Sequence, residues 1–130
     1  MTRSVLSAIL LVSFACSEAP RPDDVDAAVV RLARDDRTFV EATREEFAVA
    51  MQQDLEDFEV VLDAVEARRD AALAADRVED LERHVAEFAE GVFAVRTELD
   101  EPWQEERLAL LAAGDELGTA LAAAWNEVRP

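Results

Sequence analysis

The sequence predicts an all-α domain, and three observations carry that expectation. Apolar residues recur at steps of three and four along most of the chain. Glycine and proline number only 3 and 4 in 130 residues, and 25 alanines accompany abundant Leu, Glu and Arg. The spacing is that of a helix, the breakers are scarce, and the composition favours helix over strand. Sustained strand alternation occurs nowhere. The expected architecture is an up-down-up three-helix antiparallel bundle over 23–130 with a long first helix. In the alternative, the first part of that helix folds back as a fourth short N-terminal helix.

The first element is not part of the bundle. Arg3 carries the only early charge, and Ser4 to Ala15 follows as twelve uncharged residues rich in Val, Leu and Ile. Such a run is too short to span a bilayer, which needs about 20 residues, and too apolar all round for an amphipathic surface helix. A charged start, an apolar middle and a small-residue exit read as a signal peptide over 1–15. Cys16 is the single cysteine of the chain and closes this run. Ser13-Phe14-Ala15-Cys16 resembles the lipobox of bacterial lipoproteins, in a relaxed form, since Ser13 stands where Leu is usual and Phe14 where a small residue is usual. The resemblance covers the signal region alone, and beyond it the chain is similar only to small helical-bundle lipoproteins as a class. It implies lipidation of Cys16, a lipid anchor in the bacterial cell envelope and, with Ser17 rather than Asp next, outer-membrane sorting with the domain facing the periplasm. The competing expectation is ordinary secretion, with Cys16 discarded or left as a free thiol. Pro20 and Pro22 make 16–22 a short extended tether, about 3.1 Å per residue, reaching roughly 20 Å from the membrane.

The helices follow. Asp23 and Asp24 sit where a helix N-terminus favours negative charge. Val25, Val29, Leu32, Phe39, Val40, Phe47, Met51, Leu55, Phe58, Leu62 and Val65 then keep helical spacing, which predicts a first helix over 23–74. The stripe lapses at Arg34-Asp35-Asp36-Arg37, where Thr38 and Glu41 offer a capping box for a restart. Val78, Leu81, Val85, Phe88, Val92, Val95 and Leu99 form a second stripe, about one residue out of phase with the first. A turn in 71–76 with an Asp76–Glu79 cap accounts for the shift, because a single helix of 75 residues would be about 110 Å long. Asp100-Glu101-Pro102 is an acidic cap before a proline in a first turn. Beyond it Trp103, Leu110, Leu117, Leu121, Trp125 and Val128 line one face of a third helix. Gly114 and Gly118 on that helix allow close approach of a neighbour, and Asp115 and Glu116 argue against a membrane span there.

Charge and chemistry then narrow the function. Thirteen basic residues, all Arg, face 30 acidic ones, for a net charge of −17. A pI near 4.2 disfavours nucleic acid as a partner. Asp80, His84 and Glu87 share one helical face and are weak candidates for a divalent metal. A boundary histidine paired with neighbouring carboxylates accounts for the same residues. Paired Glu-x-x-His motifs are missing, since Leu81 stands three before His84, the only histidine. Covalent haem lacks its Cys-x-x-Cys-His, and non-covalent haem has only Met51 and His84 as axial ligands. The acidic pairs Glu45-Glu46, Glu56-Asp57 and Glu105-Glu106 read as solvated helix faces, not calcium loops. Phosphate loops, dinucleotide fingerprints and nucleophile elbows are absent from the sequence. The expectation is therefore a structural or interaction module with no catalytic activity and no cofactor, held to the membrane through Cys16 and engaging a protein partner. The alternative is a carrier of a small ligand or haem within the bundle.

Overall fold

The computed structural model describes residues 20–33, 43–68, 75–97 and 103–130. They form four α-helices: α1 (Pro22–Leu32), α2 (Arg44–Ala67), α3 (Ala75–Thr97) and α4 (Trp103–Val128). No strand occurs among the described residues. The protein is an all-α helical bundle. The signal segment 1–15, Cys16, the tether residues 17–19, the Thr38–Glu41 cap and Asp100 to Pro102 lie outside the described residues. So do Phe39, Val40, Leu99 and the side chain of Trp103.

Of the two expectations for the first helix the structure shows the second: in place of one long helix there are two, the short N-terminal α1 and α2. The cap that begins α2 is Thr43, not Thr38: its hydroxyl accepts from the Glu46 backbone N–H, and Glu46 accepts from the Thr43 N–H at 2.8 Å. Two backbone donors that the helix leaves unpaired are thereby satisfied. The break lets α1 lie back over α2, so that Arg31 meets Asp57, 26 residues further on. A continuous helix would place those two residues about 39 Å apart. Pro22 opens α1 with Asp23 and Asp24 in the first turn, as the charge pattern predicts. The expected Asp76 cap is corrected as well, because α3 already starts at Ala75 and Asp76 lies within its first turn.

The predicted stripes converge on one core. Phe47, Met51, Phe58 and Val65 from α2 meet Val78, Leu81, Phe88 and Val95 from α3, with Leu110, Leu121 and Trp125 from α4. At its centre the Phe58 and Phe88 rings meet edge to face, 4.9 Å between centroids at 85°. Gly114 makes room for that pair, since a Cβ there would stand 3.2 Å from Phe88 Cε1. Helices α2, α3 and α4 pack against one another, while α1 lies mainly on α2 and also touches α4. Arg44 at the start of α2 donates from Nε to the Val95 carbonyl near the end of α3, at 2.6 Å. Arg77 near the start of α3 pairs with Glu127 at the end of α4, at 2.7 Å.

α1 is held by an apolar seam and two polar clamps. Val25 and Ala28 are fully buried, and Val29 and Leu32 pack against the core. Trp125 Nε1 donates to Asp26 at 2.8 Å, Arg129 pairs with the same carboxylate, and Arg31 makes a forked contact with Asp57 at 2.7 and 3.1 Å. The apolarity of α4 is of the same origin. An 18-residue window within 105–128 reaches a mean hydropathy of 1.2, enough in length and composition to cross a membrane. Its large residues Leu110, Leu117, Leu121 and Trp125 are nonetheless spent on the core, and much of the remainder is alanine.

Candidate functional site

Three helices in a bundle leave grooves between neighbouring pairs, and α1 occupies the one beside α2 and α4. Between α3 and α4 a comparable groove of about 560 Å³ stays open among the described residues. Leu81 and Phe88 from α3, with Leu110 and Leu117 from α4, form its floor. Ala109, Ala113 and Ala120 present small side chains along the α4 wall, and Gly91 and Ala94 do so on α3. The lining runs from Asp80 to Ala94 on one helix and from Glu106 to Ala120 on the other. At 1.5 Å per residue each wall is about 21 Å long.

The rim of this groove is acidic. Asp80, Glu87, Glu106 and Glu116 line it together with His84, and no arginine does. Glu106 is the informative member. It is half-buried, and its Oε1 is closed off from solvent without a hydrogen-bond partner. A desolvated carboxylate oxygen without a donor is an uncompensated cost in the fold. The expectation that the Glu105-Glu106 pair is solvated surface is corrected to this extent: Glu105 is exposed, and Glu106 turns into the groove. Among the other acidic pairs, Glu46 belongs to the α2 cap and Asp57 is taken by Arg31.

Asp80, His84 and Glu87 are neighbours at one edge of the groove, but their polar atoms are otherwise engaged. Arg83 lies against the Asp80 carboxylate and 3.8 Å from Glu87. The His84 Nδ1 meets the Asp80 backbone carbonyl at 2.8 Å and its carboxylate at 3.4 Å. No group of three metal-ligating side chains gathers among the described residues. Met51 and His84 are not brought together either. Met51 is buried in α2 one side of the Phe58–Phe88 pair, and His84 is an exposed residue on α3 at the other, roughly 16 Å further along the bundle.

Elsewhere the titratable groups serve the fold. The indole N–H of Trp125, then Arg129, hold Asp26 below the usual carboxylate range. The Thr43 cap does the same for Glu46. On α2, partial burial raises Glu59 and Asp63, and neighbouring Asp63 and Glu56 add to the effect on Glu59. A second cavity, of about 570 Å³, lies between α1 and α4 where the chain leaves the described residues after Ala33, and it is lined by Asp115, Thr119 and Asn126 beside Val29 and Leu32. No protein family matches this chain, and neither does any curated protein or solved structure. The α3–α4 groove therefore has to be read from its own chemistry: an apolar trough with small walls, acidic edges and one desolvated, unpaired carboxylate oxygen.

Proposed function

We propose that the protein is a lipid-anchored interaction module of the bacterial cell envelope, without catalytic activity, that binds a protein partner in the α3–α4 groove. Signal peptide 1–15 directs export, Cys16 carries the lipid, and the residues before Pro22 tether the domain at the outer membrane on its periplasmic side. The domain works as an up-down-up antiparallel bundle of α2, α3 and α4, with α1 laid across it. The observation that carries the reading is the open groove itself, a trough whose alanine wall, Ala109, Ala113 and Ala120, is left exposed beside a groove that α1 fills. Apolar surface of this kind, rimmed by polar residues, marks interaction sites. For the anchor, the support is Cys16 at the exit of the apolar run.

Two measurements test it. Cys16→Ser moves the protein from the detergent phase to the aqueous phase of a detergent partition, or leaves it as unprocessed precursor. Wild-type protein in the aqueous phase overturns the anchor. A photocrosslinking residue at Ala113, on the groove wall, gives an adduct in cells that the same residue at Ala123, away from the groove, does not. Equal yields at both positions overturn the groove as the binding surface. The small-ligand reading draws on the groove's volume, which lies within the roughly 300–1,000 Å³ of ligand pockets. Native mass spectrometry of the purified protein tests it, a stoichiometric small adduct being the outcome in its favour.

A further inference from the structure

The chemistry of the partner follows from how this chain fills its own neighbouring groove. α1 is an 11-residue helix that buries Val25 and Ala28 in a seam and sets Arg31 on an acidic residue at the edge, Asp57. The α3–α4 groove offers a similar apolar floor and alanine walls that let a helix axis come close, but different edges: α1 also sets Asp26 on Arg129, whereas the residues lining this groove include carboxylates and no arginine. Its length of about 21 Å holds a helix of about 14 residues. Charge decides what flanks the seam of that helix. Four carboxylates line the groove, Asp80 and Glu87 beside Arg83 and Glu106 and Glu116 on the opposite wall, and the chain as a whole carries −17. A second copy of this chain would bring acid against acid, and an acidic partner would meet the same repulsion.

We infer that the groove receives an amphipathic helix of a protein partner whose apolar seam is flanked by Lys or Arg, these cations meeting the acidic edge at Glu106 and Glu116. This rests on the groove being the binding surface and adds to it the class of the partner. Helix-in-groove recognition uses apolar anchors at i, i+3, i+4 and i+7. Here the anchors enter between Ala109, Ala113 and Gly91, and the cations fall on Glu106 and Glu116.

The test uses the full chain in nanodiscs of uncharged phosphatidylcholine and two fluorescent 18-residue helical peptides sharing one leucine seam. One peptide has lysine flanks and the other glutamate flanks, and empty nanodiscs supply the background. Fluorescence anisotropy is expected to show one-to-one binding of the lysine peptide, weakening as salt rises, with the glutamate peptide at least about tenfold weaker. Glu106→Gln is expected to weaken the lysine peptide by about tenfold. Ala113→Arg, at an exposed position, fills the trough with a bulky cation and removes binding while circular dichroism stays unchanged. Equal affinity for the two peptides, or binding indifferent to both substitutions, overturns the proposal. The Ala113 photocrosslink separates its failure from that of the underlying reading. An adduct there whose crosslinked segment is acidic, is a small amphiphile or is a second copy of this chain overturns the basic helix. Equal adduct yield at Ala113 and Ala123 removes the groove as well.

Discussion

Two glycines one helical turn apart on α4 make opposite demands on their surroundings. At Gly114 an added Cβ would meet Phe88 Cε1 at 3.2 Å, and that ring is held in place by its edge-to-face contact with Phe58. Shifting the ring would disturb that contact. Crowding of this kind costs about 1–3 kcal/mol, more than the roughly 1 kcal/mol that alanine gains over glycine in a helix. At Gly118 the nearest atoms to a Cβ are Phe58 Cε1 at 3.6 Å and Leu32 Cβ at 3.9 Å, which is ordinary contact. Only the propensity gain remains there. Gly114→Ala is therefore expected to lower the urea midpoint, and Gly118→Ala to raise stability by about 0.5–1 kcal/mol. Midpoints lowered equally by both would mean that α4 does not meet the Phe58–Phe88 pair in this register. Truncation on the other side of the contact is costlier: Phe88→Ala removes a side chain only 2% exposed and is expected to lose about 3–5 kcal/mol.

At the scale of the element, α1 is the part of the bundle held by the fewest contacts of its own. It is 11 residues long, too short to persist alone in water, so its helicity depends on docking. Asp26→Ala removes the acceptor for the Trp125 indole and the partner of Arg129, and Arg31→Ala removes the clamp on Asp57. Either substitution is expected to speed amide hydrogen exchange in α1 while α2 and α3 keep the wild-type pattern. Exchange rising equally in all helices would show that α1 is integral to one cooperative unit. The element map also shows which parts of the fold were legible in the sequence. The stripes on α2, α3 and α4 were, because large apolar residues at helical spacing have only one way to be buried together. The start of α2 was missed, although Thr43-x-x-Glu46 is as clear a capping box as Thr38-x-x-Glu41, because Thr38 follows directly on the lapse at 34–37. Glu106 was misread because the sequence places it beside Glu105 in an acidic pair. Only the angle at which α4 meets α3 separates an outward carboxylate from one turned into the groove, and that angle is set by alanine and glycine contacts that carry no pattern.

The whole molecule is dominated by its charge. Processing at Cys16 would remove Arg3, leaving 12 arginines against 30 acids, a net −18. The exposed ion pairs offset little of this. Those of Arg31, Arg77, Arg83 and Arg129 involve guanidinium groups at least 40% exposed, where such pairs are worth about 0–1 kcal/mol each. The unpaired carboxylates repel one another over distances comparable to the Debye length, about 10 Å at 0.1 M salt. Added sodium chloride is expected to raise Tm by screening that repulsion, and mild acid by discharging it. The pH effect has a direction for each group. Glu59 and Asp63 sit above their ordinary values of 4.5 and 3.8 through desolvation, so the folded state takes up their protons first and gains stability as pH falls from neutral through that raised range. Asp26 and Glu46 lie below their ordinary 3.8 and 4.5. Their contribution is fully present above those values and is lost as pH falls through the lowered ones, taking the α1 clamp and the α2 cap with it. Tm is thus expected to climb from pH 7 toward about 5, pass a maximum, and drop in stronger acid as α1 lets go. Magnesium and calcium should act like monovalent salt at matched ionic strength, apart from a modest broad excess, because no convergent ligand set gathers among the described residues. A scan of Tm against salt and pH reads all of this. A Tm that falls with moderate salt would mean that the arginines form networks outweighing the net repulsion. A saturable one-to-one calcium transition would replace diffuse screening with a specific site.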